Sequence, residues 1–279
     1  GSSAVYLQGK DLKIDRPTYG ITLVIHGFQV PFGLSGRTCS TVSETEAPLT
    51  DIAVAVLQRA GRGRLWQYDY NSEKMALASL PSGVIDDGGI GGGEQVIAVD
   101  WCDVSNNATP GYAEATAHQL YSALKAFSST SGSYGNAGQS GLLRTSSTPI
   151  HIVAHSFGTG VAFQLARRLR ELEQVTTLQL TTLDPHDFRS GFVPIDGDVR
   201  MPNVDISRLG LANPGLLFDN YYQRLTRGIP IIPSGRCVVG IANEKLDAAL
   251  PDATAGAHWG SATFHTAVHR WYLGTILPD

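Results

Sequence analysis

Short apolar runs and helix-period stretches take turns along this chain. Ile21 to Ile25 is a continuous, β-branched run, Val96 to Val99 is the centre of a second over Glu94 to Trp101, and Ile150 to Val153 forms a third. Runs of this kind read as strands covered on both faces. Between them the period changes. About Glu44 to Ala60 sets Leu49, Ile52, Ala53, Val56 and Leu57 on one helical face, with Gly61 and Gly63 ending it. Tyr112 to Phe127 does the same with Ala113, Ala117, Leu120, Leu124 and Phe127. After the third run, Val161, Leu165, Leu169 and Leu172 recur at helical spacing with Arg167, Arg168, Arg170 and Glu171 between them. Leu65 to Tyr70 and Met75 to Leu80, separated by a turn at Asn71 to Lys74, predict a hairpin. Thr176 to Leu183 and Phe218 to Gln223 predict two more strands, and Val268, Trp271, Tyr272 and Ile276 a last helix. Strands alternating with helices predict an α/β fold, a mostly parallel central sheet with helices on both faces.

Length and composition fit a single domain over 1–279, since 42% hydrophobic residues in 279 can fill one core. Residues 1–20 read as an N-terminal arm. The long connection at 186–217 is rich in Phe, Ile and Leu interrupted by Gly and Pro, and is expected to be either a lid or cap insertion or a loop packed on the sheet. A net charge of −4 with scattered Lys and Arg argues against nucleic acid as a partner. No apolar run approaches the ~18 residues of a membrane span, so no transmembrane segment is expected and the chain should be soluble. It should be secreted or periplasmic if a signal peptide was removed. The three cysteines allow one internal bridge and lack metal-ligand spacing. The Gly88 to Gly93 cluster precedes its strand instead of joining a strand to a helix, and therefore reads as a loop and not a nucleotide cradle. Asp86 with Asp87, and His186 between Asp184 and Asp187, lack the ligand number or spacing of a metal centre. Neither a cofactor nor a metal is expected.

The chemistry concentrates where strand turns into helix, at Ala154-His155-Ser156-Phe157-Gly158. A serine on so tight a turn needs small residues two places before and after it, so that strand and helix approach and its hydroxyl is pushed outward. Ala154 and Gly158 are those residues, alanine standing where glycine is usual. Ile21 to Ile25 ends in His26-Gly27-Phe28, where glycine lets backbone approach a substrate. Gly27, Ser156 and Asp184 all fall at carboxyl ends of parallel strands, the edge at which such sheets bind ligands.

These pieces resemble the α/β-hydrolase family and, in their core motifs, the pancreatic-type lipases. LVIHGF (Leu23 to Phe28), VDW (Val99 to Trp101), VAHSFG (Val153 to Gly158) and LDP (Leu183 to Pro185) occur in the same order. The resemblance covers roughly Ile21 to Pro185, and the multiple disulfides of the secreted lipases are absent. It implies an α/β-hydrolase fold, Ser156 as nucleophile, Asp184 as triad acid, and the backbone N–H groups of Phe28 and Phe157 as oxyanion hole. Most of the family carries the acid one strand later, but that strand ends in Gln223-Arg224-Leu225-Thr226-Arg227 without a carboxylate. Asp187 and Asp219 are the remaining candidates for the acid. The base must follow the acid in the chain. His265 falls at the start of the last helix, and His258 competes from a Gly/Ala-rich segment; His269 lies a turn beyond His265. His26 and His155 sit where histidine packs or hydrogen-bonds beside the site. The implied activity is hydrolysis of carboxylic esters, of a small-molecule or lipid substrate, by a serine esterase or lipase. A thioesterase, peptidase or polyester depolymerase would use the same residues, and a non-catalytic binding module is a further alternative.

Overall fold

The computed structural model describes residues 19–27, 47–86, 92–105, 111–127, 142–143, 148–185, 215–225, 235, 237, 242–250 and 263–277. In chain order the elements are β1 (Ile21–Ile25), α1 (Ala47–Ala60), β2 (Arg62–Asp69), β3 (Lys74–Leu77), β4 (Ile85–Asp86) and β5 (Glu94–Asp100). There follow α2 (Cys102–Ser105), α3 (Tyr112–Ala126), β6 (Ile150–His155), α4 (Gly158–Glu173), β7 (Leu178–Leu183), β8 (Leu216–Tyr222), β9 (Ala242–Lys245) and α5 (Thr263–Ile276).

Among the described residues nine strands form one sheet in the order β9-β8-β7-β6-β1-β5-β2-β3, with β4 on the side of β2. Every pairing is parallel except β2 with β3, the expected hairpin. This is an α/β architecture with a mostly parallel central sheet.

The two-sided burial follows from strand alternation. Leu23 and Ile25 of β1, Ile97 and Val99 of β5, Ile152 and Ala154 of β6 and Leu180 of β7 face a layer that includes Leu120 and Leu124 of α3 and Val161, Leu165 and Leu169 of α4. Val24, Val96, Val153 and Leu183 point the other way, onto Ile52 and Leu57 of α1 and Val268, Tyr272 and Ile276 of α5. β1 and β6 are apolar at most positions because each of their faces has a helix layer to meet.

Several boundaries differ from expectation, each for a physical reason. Gly63 lies inside β2 and not at a helix end; its φ is 143°, and a methyl group there would stand 2.0 Å from the Glu94 carbonyl oxygen. Close approach of β2 to β5 requires the glycine. Leu216 and Leu217, placed in the 186–217 connection, belong to β8. The edge strand β9, with the polar sequence Ala-Asn-Glu-Lys, is exposed along its length, so it carries no alternation to read. Among the described residues no helix is long and apolar enough to cross a membrane. Cys102 is disulfide-bonded and Cys237 is a free thiol, which accounts for the one bridge that three cysteines permit.

Candidate functional site

Parallel register brings four adjacent strand ends together. Ile25 of β1 lies opposite Ala154 of β6, His155 opposite Leu183 of β7, and Leu183 opposite Tyr221 of β8. The residues that follow, His26-Gly27, Ser156, Asp184 and Gln223, therefore share the carboxyl edge of the sheet.

Ser156 sits between β6 and α4 with φ 53°, left-handed backbone that a residue with a Cβ adopts only where its surroundings hold it. Those surroundings are visible. Its N–H donates to the Leu183 carbonyl at 2.9 Å, and its carbonyl accepts from Thr159 N–H at 3.2 Å. A methyl group on Gly158 would come within 2.3 Å of the His26 carbonyl oxygen, so glycine is what lets α4 start this close to β1. The methyl of Ala154, the departure from the usual glycine, is fully buried in the core on the α3 and α4 side. Phe157 takes helical backbone at the cap of α4, which puts its N–H at the positive end of a 16-residue helix. Its ring stacks on Trp101 at 5.8 Å between centroids.

His26 closes the opposite wall. Its Nδ1–H donates to the Gly27 carbonyl at 2.9 Å, and its Nε2 accepts Trp101 N–H at 3.1 Å, which fixes the tautomer. Trp101 Nε1–H donates to the His26 carbonyl at 2.8 Å. Gly27 faces the serine: a methyl group there would stand 3.2 Å from Ser156 Oγ. Phe28, the other expected oxyanion donor, lies outside the described residues, as do Asp187, His258 and residues 186–214 of the long connection.

Asp184 and His265 meet directly. Asp184 follows β7, is wholly buried, and has φ 47°. His265, in the first turn of α5, places Nδ1 2.5 Å from Asp184 Oδ2. With Nδ1–H donated to the carboxylate, Nε2 carries the lone pair. Burial pushes the His265 imidazole down to about 3. It pushes the Asp184 carboxyl well above the usual carboxylate range, against hydrogen bonds from the side chain and backbone of Gln223 and the backbone of Gly235. Both shifts express the same exclusion of water, which penalises any additional charge. Ser156 Oγ and His265 Nε2 share this edge without a hydrogen bond between them. Such contacts commonly tighten only when substrate is bound.

His155 and His269 pack beside His265. His155, next to Ser156, donates Nε2–H to the His265 carbonyl at 3.2 Å and its ring lies 4.4 Å from the His265 ring, tilted by 41°. His269 packs edge-on against His155 at 4.6 Å. It is a packing residue, fully buried, and neither ring nitrogen has a hydrogen-bond partner. Asp219, an alternative acid, is engaged elsewhere: it lies within β8, where Thr181 Oγ1 donates to it at 2.9 Å.

Burial pushes His155 and His269 well below the ordinary imidazole value. Unfolded, each takes up a proton near pH 6.5. The unfolded state therefore binds more protons as pH falls below that value, and stability drops with it, by at most about 2 kcal/mol per histidine at pH 5. His265 adds to the loss, while the raised carboxyl of Asp184 offsets part of it. The thermal midpoint should fall by several degrees between pH 7.5 and pH 5. His269→Phe, which removes two unpartnered nitrogens, should raise the midpoint more at pH 5 than at pH 7.5. An equal change at both would show that His269 does not contribute to the acid sensitivity.

Gln223 was legible only as a missing carboxylate. In the structure its backbone and side chain both bond to Asp184. The signal available in the sequence was its place at the end of the strand where most α/β-hydrolases carry their acid.

No protein-family model and no curated protein matches the chain. Among solved structures it is similar to the lin2722 gene product of Listeria innocua, at 15% identity and a TM-score of 0.42, over 90% of this chain and 88% of that one. What the protein does must be read from the side chains around Ser156.

Proposed function

We propose that the protein is a serine hydrolase that cleaves carboxylic esters of small-molecule or lipid substrates, an enzyme of esterase or lipase type. The observation that carries this reading is the left-handed Ser156 at the β6–α4 turn, with an Asp184–His265 pair at the same sheet edge. Held backbone of this kind is costly, on the order of 1–3 kcal/mol, and a packing role for the serine gives no reason for it.

In the proposed mechanism Ser156 Oγ attacks the ester carbonyl carbon as its proton passes to His265 Nε2. The C–O π electrons move onto oxygen, forming a tetrahedral oxyanion. The N–H groups of Phe157 and Phe28 and the positive end of α4 are the stabilisers assigned to that charge. The oxyanion collapses, the bond to the leaving alkoxide breaks, and His265 delivers its proton to it. Water then repeats the sequence on the acyl-enzyme: His265 takes its proton, the hydroxyl adds to the carbonyl, and the carboxylic acid leaves as Ser156 regains a proton. Asp184 holds the imidazole in the tautomer with Nε2 bare and stabilises it when charged.

The test is a panel of p-nitrophenyl esters of short and long acyl chains, with matched thioesters and amides, and labelling by a serine-directed phosphonate. Ester turnover with a label on Ser156 is the expected result. Turnover confined to thioesters or amides would redirect the reading to those substrates. Neither turnover nor labelling would overturn it in favour of a binding module.

A further inference from the structure

The carboxylate of Asp184 is held chiefly by one residue. Oδ1 accepts the backbone N–H of Gln223 at 2.9 Å, and Oδ2 accepts Gln223 Nε2–H at 2.9 Å beside the His265 Nδ1–H. Gln223 is itself wholly buried, and its Oε1 accepts the Leu225 N–H at 2.8 Å. That last contact decides the orientation of the amide: oxygen faces an N–H donor, so nitrogen faces the carboxylate. Among the described residues no Lys or Arg side chain bonds to Asp184. Amide donors, from Gln223 and Gly235, do the work that a cation performs in a buried ion pair.

We propose that Gln223 is a positioning residue for the acid–base pair, fixing the plane of the Asp184 carboxylate so that Oδ2 stays on His265 Nδ1. A carboxylate turns easily about its last bond, because that torsion has a broad profile. Contacts from a single residue to both oxygens remove the freedom, and the Leu225 contact prevents the amide from following a rotation. The inference rests on the ester-hydrolase reading for its catalytic meaning, but the geometry stands without it.

Among the described residues the charged and titratable groups around the pair are few. His265 comes from α5, with His155 of β6 and His269 of α5 behind it. Asp247, after β9, opposes ionisation of Asp184; it accepts the Arg224 backbone N–H and pairs with Lys245 at 2.8 Å. Tyr222, bonded to Cys237, completes the neighbourhood.

Two substitutions should move the pH profile of kcat/KM in opposite directions. Gln223→Leu keeps the backbone donor and loses the side-chain one. kcat/KM should fall about 10- to 100-fold through kcat, the scale of one hydrogen bond to a charged group. The acid limb should move to higher pH, because Asp184 then takes a proton more readily. Gln223→Glu has the same shape, and when protonated donates to Oδ2 as the amide does. It should be nearly as active as wild type at low pH and lose activity as pH rises, when a second carboxylate ionises beside Asp184. A defect of folding alone gives neither shift, and thermal midpoints at each pH identify it. If both variants keep the wild-type profile, or lose activity equally at all pH values, the positioning role is wrong.

A second readout separates this inference from the ester reading. The His265 Nδ1 proton in so short a hydrogen bond should resonate far downfield in proton NMR, and His265→Ala identifies it by its loss. If wild type hydrolyses no ester but Gln223→Leu shifts or broadens that resonance, the ester reading falls and the positioning role stands. A resonance unchanged by Gln223→Leu overturns the positioning role whatever the activity.

Discussion

Ser156→Ala should lower kcat on a short-chain p-nitrophenyl ester by about 10⁴-fold or more and leave the protein folded; His265→Ala should do nearly the same, and the double substitution should be no worse than either alone. Loss on that scale is what removal of a nucleophile or its base costs where the two act as a unit, and non-additivity is the signature of that unit. The fold should tolerate both changes. Ser156 makes its cross-strand hydrogen bond to Leu183 through backbone, so removing Oγ breaks no described contact of the sheet. Ser156→Gly carries the argument further. At φ 53° a Cβ is strained by roughly 1–2 kcal/mol, so the glycine variant, equally inactive, should melt above Ser156→Ala. Kinetics and calorimetry on the three proteins decide the matter. Ester turnover that survives Ser156→Ala would remove this serine from the chemistry, and a glycine variant that melts lower would remove the strain.

Gly158→Ala should be among the more damaging single methyl groups in the described part of the molecule. Its Cβ would meet the His26 carbonyl oxygen at 2.3 Å and the Ile25 carbonyl oxygen at 3.0 Å, both backbone atoms of the central strand, so neither has a rotamer to retreat into. Relief requires α4 to move off β1, and α4 buries Val161, Leu165 and Leu169 against the sheet. Overpacking of this kind costs about 3 kcal/mol, near 6–10 °C in thermal midpoint at this chain length. Gly27→Ala is the instructive contrast. Its methyl group would stand 2.6 Å from Ser156 Cβ, at the site and not beneath a helix. It should cost more activity than stability, with kcat reduced in a protein that melts within a few degrees of wild type. If Gly158→Ala folds with an unchanged midpoint, the close approach of α4 to β1 is not the constraint assigned to it.

The same contrast separates what was legible in the sequence from what was not. β1 and β6 announce themselves because helices cover both faces, leaving most positions apolar. β9 is silent because an exposed polar edge strand has no pattern, and it exists only because β8 offers it backbone partners. Gly63 reads as a helix stop until Glu94, distant in sequence, is seen against it. At the candidate site, Ser156 and Gly158 were legible from local spacing, since the tight turn is a local demand. The pairing of Asp184 with His265 spans 81 residues, and the clasp of Gln223 on Asp184 spans 39. Nothing near either residue encodes such contacts; they follow from which strands lie side by side. His269 reads from the sequence as either a surface or a packing histidine, because the His155 ring that buries it comes from another element.

The position of α5 bears on the order in which the protein matures. Val268, Tyr272 and Ile276 cover the face of the sheet that holds Val24, Val153 and Leu183, and the same helix carries His265 to Asp184. During synthesis the serine, the acid and Gln223 emerge first, yet the apolar ground beneath α5 stays open until that helix arrives. A nascent chain halted before Thr263 would thus hold Ser156 without His265, its proposed base, and an uncovered greasy surface at once. On the proposed hydrolase reading, completing the core and assembling the acid–base pair are a single event, so a truncated chain should be a client for chaperones and inactive.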